Sequence, residues 1–287
     1  MPRYGKLQVY RPRLAQKGVV ARIYGRIFGT TNLFSLGCFP LFKRAIRNLE
    51  LGVVLEGGCG QGDTAFYLAE AYPSIQIDAW DYGEGKYKSN IDICRSLQKL
   101  TGINNLNFVR ANLLDLDAIN QYDFIYSIHV LEHIEDNQRV VSNFYSALKN
   151  GGHLYIQMPG ESGFRMKPLQ KYLKNRYQWE KREHISLCSL RELTYKLRKA
   201  GFDIVFARAE TGILFSLAWQ TREALVENSK LVLGAFLLPF LKALVLLDRF
   251  LKDRIPSAYG SVARFFISDF DLFEDNIEAL ARKPVSS

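Results

Sequence analysis

Residues 53–70 read VVLEGGCGQGDTAFYLAE: a β-branched apolar run, an acid, a knot of glycines, then a helical pattern. No other stretch narrows the architecture as far. Glycines at 57, 58, 60 and 62 let the backbone take left-handed angles and come close to a ligand. A helix that starts directly afterwards aims its unpaired N–H groups at the same place. A strand ending in such a turn belongs in an open sheet whose ligand lies beyond the carboxyl edge.

The rest of the chain repeats the rhythm. Strand patterns are predicted at Val53–Glu56, Ile75–Trp80, Leu106–Arg110, Asp123–Ile128 and Leu154–Met158. Helical patterns fall between them at Ala65–Tyr72, Tyr87–Leu100 and Asn137–Leu148, the last ended by Asn150-Gly151-Gly152. Ser189–Ala200 reads as a helix closed by Gly201, Phe202–Ala207 as a strand, and IEALARKP as a last strand. Short apolar strands alternating with helices predict an α/β fold, a doubly wound and mostly parallel sheet covered on both faces. At 287 residues, 48% of them hydrophobic, the chain can bury one such core and an added lobe. The expected organisation is a basic arm with lead-in helices over 1–49, the α/β core over 50–210, a helical insertion over 211–275, and the last strand with its tail over 276–287.

Three ligands suit a glycine turn of this kind. A nucleoside triphosphate requires G-x-x-x-x-G-K-[ST]; the nearest string, Gly85-Lys86, is followed by Tyr87, so that ligand drops out. A dinucleotide is better served, because Gly60-Gln61-Gly62-Asp63-Thr64-Ala65 has the G-x-G-x-x-A form and Asp81 lies 19 residues beyond Gly62. Yet Glu56 and Asp63 flank the turn, and two carboxylates repel a pyrophosphate. They suit a cationic, phosphate-free ligand. S-adenosylmethionine fits that description: it has an ammonium and a sulfonium, and a ribose whose hydroxyls need an acceptor.

Glu56-Gly57-Gly58-Cys59-Gly60-Gln61-Gly62 resembles the first motif of the class I S-adenosylmethionine-dependent methyltransferases. AWDYGE (79–84), RANLLDL (110–116), YDFIYSIHVLEHIED (122–136) and LKNGGHLYIQMPG (148–160) resemble the later motifs in their order. VLEHIED is closest to the branch with quinone-biosynthesis and sugar or glycan-pathway enzymes. The resemblance implies a seven-stranded Rossmann-like fold with S-adenosyl-L-methionine as cofactor. It implies that Gly58, Cys59, Gly60 and Gly62 shape the turn around the methionine part, with Glu56 on its ammonium. Asp81 would accept the ribose hydroxyls, Tyr82 would pack on the adenine, and Leu113 and Ile128 would line the slot. Asn112 stands where the family has Asp and still offers an acceptor oxygen.

Methyl transfer to a hydroxyl needs a group to take the proton, and histidine suits neutral pH. His129, just past the fourth strand, is the first candidate, and His184, in KREHIS, the second. His133 reads as a structural partner of Glu132, although in some quinone-pathway relatives such a pair assists a divalent metal. His153 is expected to be solvated at the opposite end of the sheet. No metal ligand set is assigned: Cys38, Cys59, Cys94 and Cys188 are far apart, and no Cys/His cluster has zinc spacing.

The surroundings suggest where the chain works. Cysteine usage and the lack of a signal-peptide pattern favour the cytoplasm. Net charge is +9, and Met1–Leu49 contains ten Lys or Arg and no acid, which suits an anionic membrane surface or a phosphate. A transit peptide is disfavoured by the lack of Ser before Ser35. Ser229–Arg254 has a charge-free run, Leu231–Leu241, shorter than the roughly 20 residues of a membrane span. Pro239 and Lys242 interrupt it, and Phe240, Leu244, Leu247 and Leu251 share one helical face, so an amphipathic hairpin or bent helix is expected. It would serve as a cap, a homodimer contact or a peripheral contact on the inner face of a membrane, with a true transmembrane helix the least favoured alternative. The expected acceptor is small, lipid or lipid-linked. Nucleic acid is disfavoured, since no RNA or DNA module is evident. A catalytically silent binding relative and a dinucleotide oxidoreductase are the rival readings.

Overall fold

The computed structural model describes residues 41–83, 90–160, 182–210, 231–254 and 276–285, with five further positions between 214 and 221. The basic segment before residue 41 lies outside the described residues. The elements are β1 (Val53–Gly57), α1 (Asp63–Ala71), β2 (Gln76–Asp81), α2 (Asn90–Thr101), β3 (Leu106–Arg110), β4 (Tyr122–Ile128), α3 (Asn137–Ala147), β5 (Leu148–Met158), α4 (Leu190–Lys199), β6 (Asp203–Glu210), α5 (Leu231–Arg254) and β7 (Asn276–Arg282). Single 3₁₀ turns sit at Leu113–Asp115 and Leu131–His133.

The strands form one seven-stranded sheet in the order β3-β2-β1-β4-β5-β7-β6. Every pairing from β3 to β5 is parallel, and β7 runs antiparallel between β5 and β6. This is the expected doubly wound, mostly parallel α/β sheet. The order reverses between β1 and β4, which opens a crevice at their carboxyl ends.

Alternation along the strands divides the core in two. Val54, Phe124, Tyr126 and Tyr155 face α1 and α2 together with Phe66, Ile91 and Phe108. Leu55, Ile125, Leu154 and Ile156 face α3 and α4 with Phe144 and Leu193. Residues 41–46 are helical and seal the first face: Phe42 is fully buried, its ring 4.9 Å from Tyr126 and 5.4 Å from Tyr155. Burying rings of this size supplies much of the apolar driving force on that side.

Local signals set the helix ends. Asp136 caps α3 by accepting from the Arg139 N–H, and Ser189 and Glu192 form a reciprocal capping box on α4.

Two expectations need correction. The glycines after α3 do not act as a helix stop, because α3 ends at Ala147 and β5 already begins at Leu148. Reciprocal bonds of Gly151 N–H to Lys283 O and Lys283 N–H to Gly152 O tie that entry to the end of β7, a pairing between segments remote in sequence. Nor do residues 231–254 form a hairpin: α5 runs unbroken through Pro239, which is exposed and removes only one backbone donor. Its inward face also differs from the expected one. Leu241, Val245 and Asp248 are buried, the last accepting from the Leu214 N–H, while Phe240, Leu247 and Phe250 are exposed. A buried acid with its own backbone donor is not visible to an apolar periodicity. Among the described residues no helix is long and apolar enough to cross a membrane.

Candidate active site

The glycine turn lies at the carboxyl end of β1, as its position directly after that strand requires. Gly58 and Cys59 N–H both donate to Trp80 O at 2.8 Å, locking the turn onto β2. Gly58 has φ +84°, and a Cβ there would lie 2.2 Å from the Val130 side chain, so both angle and space demand glycine. Gly60 has φ +51° with nothing within 4 Å of where a Cβ would be: its outer side is open. Gly62 precedes α1 without a side-chain cap on the helix N–H groups.

Asp81, at the end of β2, fastens the turn. Its Oδ2 accepts from Gly60 N–H at 2.7 Å and its Oδ1 from Gly83 N–H at 2.9 Å. Each oxygen keeps a lone pair for a further donor. Tyr82 beside it is 52% exposed, an aromatic face presented outward. Asn112 caps the 3₁₀ turn after β3, its Oδ1 accepting from Leu114 N–H at 3.0 Å. Leu113 has its side chain packed into the α3 core, 3.4 Å from where a Cβ on Gly57 would lie.

Glu56 is buried beneath the turn, and its Oε2 has no hydrogen-bond partner. Burial pushes its carboxyl well above the ordinary carboxylate value; the nearby Tyr126 hydroxyl opposes this in part and the Asp81 charge adds to it. The Tyr126 hydroxyl is buried beside it. A buried carboxylate oxygen left unpaired is costly, and one under an open turn suits a charged partner. Burial, with Glu56 nearby, also raises the Cys59 thiol, which is therefore no nucleophile.

A second group of polar side chains sits past β4. His129 follows Ile128 with φ 55°, a strained angle for a non-glycine residue, fixed by its N–H to Gln157 O at 2.8 Å. Its Nδ1 lies 3.3 Å from Glu132 Oε1, and His133 Nε2 lies 3.9 Å from the same oxygen. Glu132 is 1% exposed. Burial raises its carboxyl, but the His129 hydrogen bond and the charges of His129 and His133 outweigh it, so it sits below the ordinary value. The segment at 182–188 is brought alongside by Ser186 N–H to Glu132 O and by Asn137 Nδ2 to Ser186 Oγ at 2.9 Å. That places His184 edge-on to His133, ring centroids 5.0 Å apart.

Thus the structure gathers Glu56, Gly58, Gly60, Gly62 and Asp81 around one turn, and His129 and His184 around Glu132. Ile128 is partly buried against the first core face. Sequence reasoning missed Glu132 as a hub, and it missed Tyr126 and Gln157, whose side-chain amide atoms are both buried and unpaired. Polar residues at inward positions of apolar strands were the available signal. His153 is half-buried against β7 rather than solvated, and burial, then Arg282, lowers it.

A family model described as a methyltransferase domain matches residues 34–206. The chain is 30% identical over 145 residues to phosphoethanolamine N-methyltransferase 1 of Triticum aestivum, covering 48% of this chain and 28% of that protein. It is 27% identical over 116 residues to the ubiquinone biosynthesis O-methyltransferase of Rickettsia conorii, covering 40% and 37%. These matches span well under half the length of the curated relatives. Among solved structures, Haemonchus contortus phosphoethanolamine N-methyltransferase 2 in complex with S-adenosyl-L-methionine aligns over 96% of this chain and 60% of that one, with TM-score 0.58 and 19% identity, a likeness of fold. With the family model spanning more than half its residues, the chain belongs to the methyltransferase-domain family of class I S-adenosylmethionine-dependent methyltransferases, and S-adenosylmethionine is its cofactor.

Proposed function

We propose that the chain transfers a methyl group to an oxygen of a small, lipid or lipid-linked acceptor. The observation that carries the donor side is the unpaired Oε2 of buried Glu56 under an open, left-handed glycine turn. A cationic ammonium offsets that desolvated carboxyl, whereas a pyrophosphate would be repelled by it. In this reading Gly58, Gly60 and Gly62 hold the methionine part and Cys59 only shapes the turn. Asp81 accepts the ribose hydroxyls while keeping Gly60 in place, Tyr82 covers the adenine, and Asn112 and the Leu113 backbone bound its far side. When bound, the cofactor supplies an electrophilic methyl group on a sulfonium.

The protein's part in the chemistry is alignment and one proton. His129 takes the acceptor proton, with Glu132 at 3.3 Å orienting the ring and stabilising its charge. His184, from the segment docked on Glu132, contacts the acceptor. Oxygen is favoured because a hydroxyl needs this base; the similarity to an O-methyltransferase supports the choice. An apolar acceptor body suits the exposed Phe240, Leu247 and Phe250 of α5, and the basic segment before residue 41 suits an anionic surface.

The test has two arms. Calorimetry with S-adenosylhomocysteine and, separately, NADH decides the donor: binding of the first and not the second is expected, and the reverse overturns the reading. Methyl-labelled cofactor incubated with hydroxylated lipid, glycan and quinol pools decides the acceptor. Donor binding with no labelled product in any pool favours the silent relative instead.

A further inference from the structure

At the carboxyl end of β5 the fold buries an amide and gives it no partner. Gln157 stands beside Ile128 of β4 on one side and Glu278 of β7 on the other, and Glu278 stands beside Arg208 of β6. Residues two apart share a face of a strand, so this row lies on the same face as Tyr155, one step nearer the carboxyl edge. Gln157 and Glu278 are each 1% exposed. Glu278 Oε2 accepts from the Tyr155 hydroxyl and its Oε1 from Arg208 Nε, both at 2.5 Å. The carboxylate and the guanidinium of the row are therefore matched to each other. Gln157 takes no part in this network: its Nε2 and Oε1 are both buried, and neither has a hydrogen-bond partner. Buried amides are almost always paired, because losing water without gaining a bond costs the full desolvation of the group. If packing were its only task, an apolar side chain of the same length would serve better.

Its place in the sheet gives the unpaired amide a use. The Gln157 main-chain carbonyl accepts from the His129 N–H at 2.8 Å, so the residue is tied directly to the one that carries the proposed base. We propose that the Gln157 side chain recognises the methyl acceptor, and that the acceptor carries beside its reacting oxygen an uncharged group with a hydrogen-bond donor and acceptor side by side, such as a carboxamide or a hydroxyl next to a carbonyl. The side-chain amide offers N–H donors at one end and a carbonyl oxygen at the other. Only a group with the complementary pair satisfies both ends. A carboxylate or phosphate brings acceptors alone and an ammonium brings donors alone; either leaves one end of Gln157 unpaired and adds a charge to a row whose own charges are already matched. A site built to hydrogen-bond a substrate group rejects analogues that lack it far more strongly than an apolar pocket rejects a misfit. That the bound molecule is the methyl acceptor rests on the methyltransferase reading; the unpaired amide does not.

The experiment takes the full chain labelled with nitrogen-15 at its glutamine side chains, with and without S-adenosylhomocysteine. The Gln157 resonance is the one lost in Gln157→Met. Three probes that share one ring and differ in charge, benzamide, benzoate and benzylamine, are titrated in. Benzamide is expected to shift the Gln157 resonance, and the two charged probes to leave it in place. In Gln157→Met benzamide affinity should fall about tenfold by calorimetry, the scale of one neutral hydrogen bond, while Gln157→Asn, which keeps the amide, should retain the preference for benzamide. Without any probe, Gln157→Met should melt no lower than the parent chain, because it removes unpaired polar atoms. An equal shift with a charged probe, no shift with any probe, or a lower melting temperature in Gln157→Met, the mark of an amide whose task is structural, overturns the proposal. S-adenosylhomocysteine titrated alone reports the donor site separately. Its failure with the benzamide shift intact counts against the methyltransferase reading and not against the amide subsite.

Discussion

The glycine turn after β1 and the side-chain hub around Glu132 are built from different materials. In the turn, backbone N–H groups, positive-φ glycines and two carboxylates, Glu56 and Asp81, come from β1, β2 and the segment between β1 and α1, and Asp81 bonds Gly60 only 21 residues away. In the hub, side chains meet around one buried acid, and the His133 bond to Glu183 spans 50 positions. A backbone cradle is fixed as soon as its strands pair. A side-chain hub depends on a later segment docking correctly.

Separating the two sides experimentally gives the largest expected effect. His129→Gln should lower the methyl-transfer rate by about 10²–10⁴, the usual worth of a general base, and leave S-adenosylhomocysteine affinity within a few-fold. Equal loss of both in rate and calorimetric measurements would merge the two halves. Gly58→Ala tests the reverse. Strain at positive φ costs about 1–3 kcal/mol, and the clash with Val130 adds to it, so donor affinity should fall about 100-fold or more.

Glu56 sharpens the electrostatic side of the contrast. Because burial raises its carboxyl, the free protein holds that proton at pH values above the ordinary 4.5 of a glutamic acid. Pairing with an ammonium expels it. Cofactor affinity should thus rise with pH until the carboxylate ionises unaided, and calorimetry in buffers of different ionisation enthalpy should detect proton release. In Glu56→Gln that release should vanish, with affinity down about tenfold, the scale of one charged hydrogen bond. Unchanged proton release in the variant would assign it to another group. The smallest effect is expected at Ser189→Ala, which removes the α4 cap next to the His184 segment. Stability should drop by about 1 kcal/mol in chemical denaturation, and donor affinity should not move.

A pH effect on folding follows at the far end of β5. His153 is held neutral by burial and by Arg282, so the unfolded chain binds more protons once pH falls through about 6.5. Stability should decline on acidification through that range, and the decline should be shallower in His153→Gln when melting temperature is followed against pH.

Some of this was legible beforehand and some was not. β3 was read to its ends, and the glycine turn, Asp81 and the exposed Tyr82 lie where their positions relative to strand ends require. Short-range rules govern all of these: β-branched runs, glycine conformation, and a carboxylate at a strand terminus. The inward face of α5 was misread because Asp248 accepts from Leu214, a contact that no count of apolar residues records.

By itself the sequence determined the order of strands and helices, the left-handed turn after β1 and the sign of charge beneath it, because these follow from local backbone preference and from residues adjacent in the chain. Tertiary structure alone decided that Glu132 gathers His129, His133 and His184, that Glu56 loses its solvent without gaining a hydrogen-bond partner for Oε2, and that α5 turns an aspartate inward. Burial and proximity are properties of the packed chain, and they arise only when segments distant in sequence exclude water from one another.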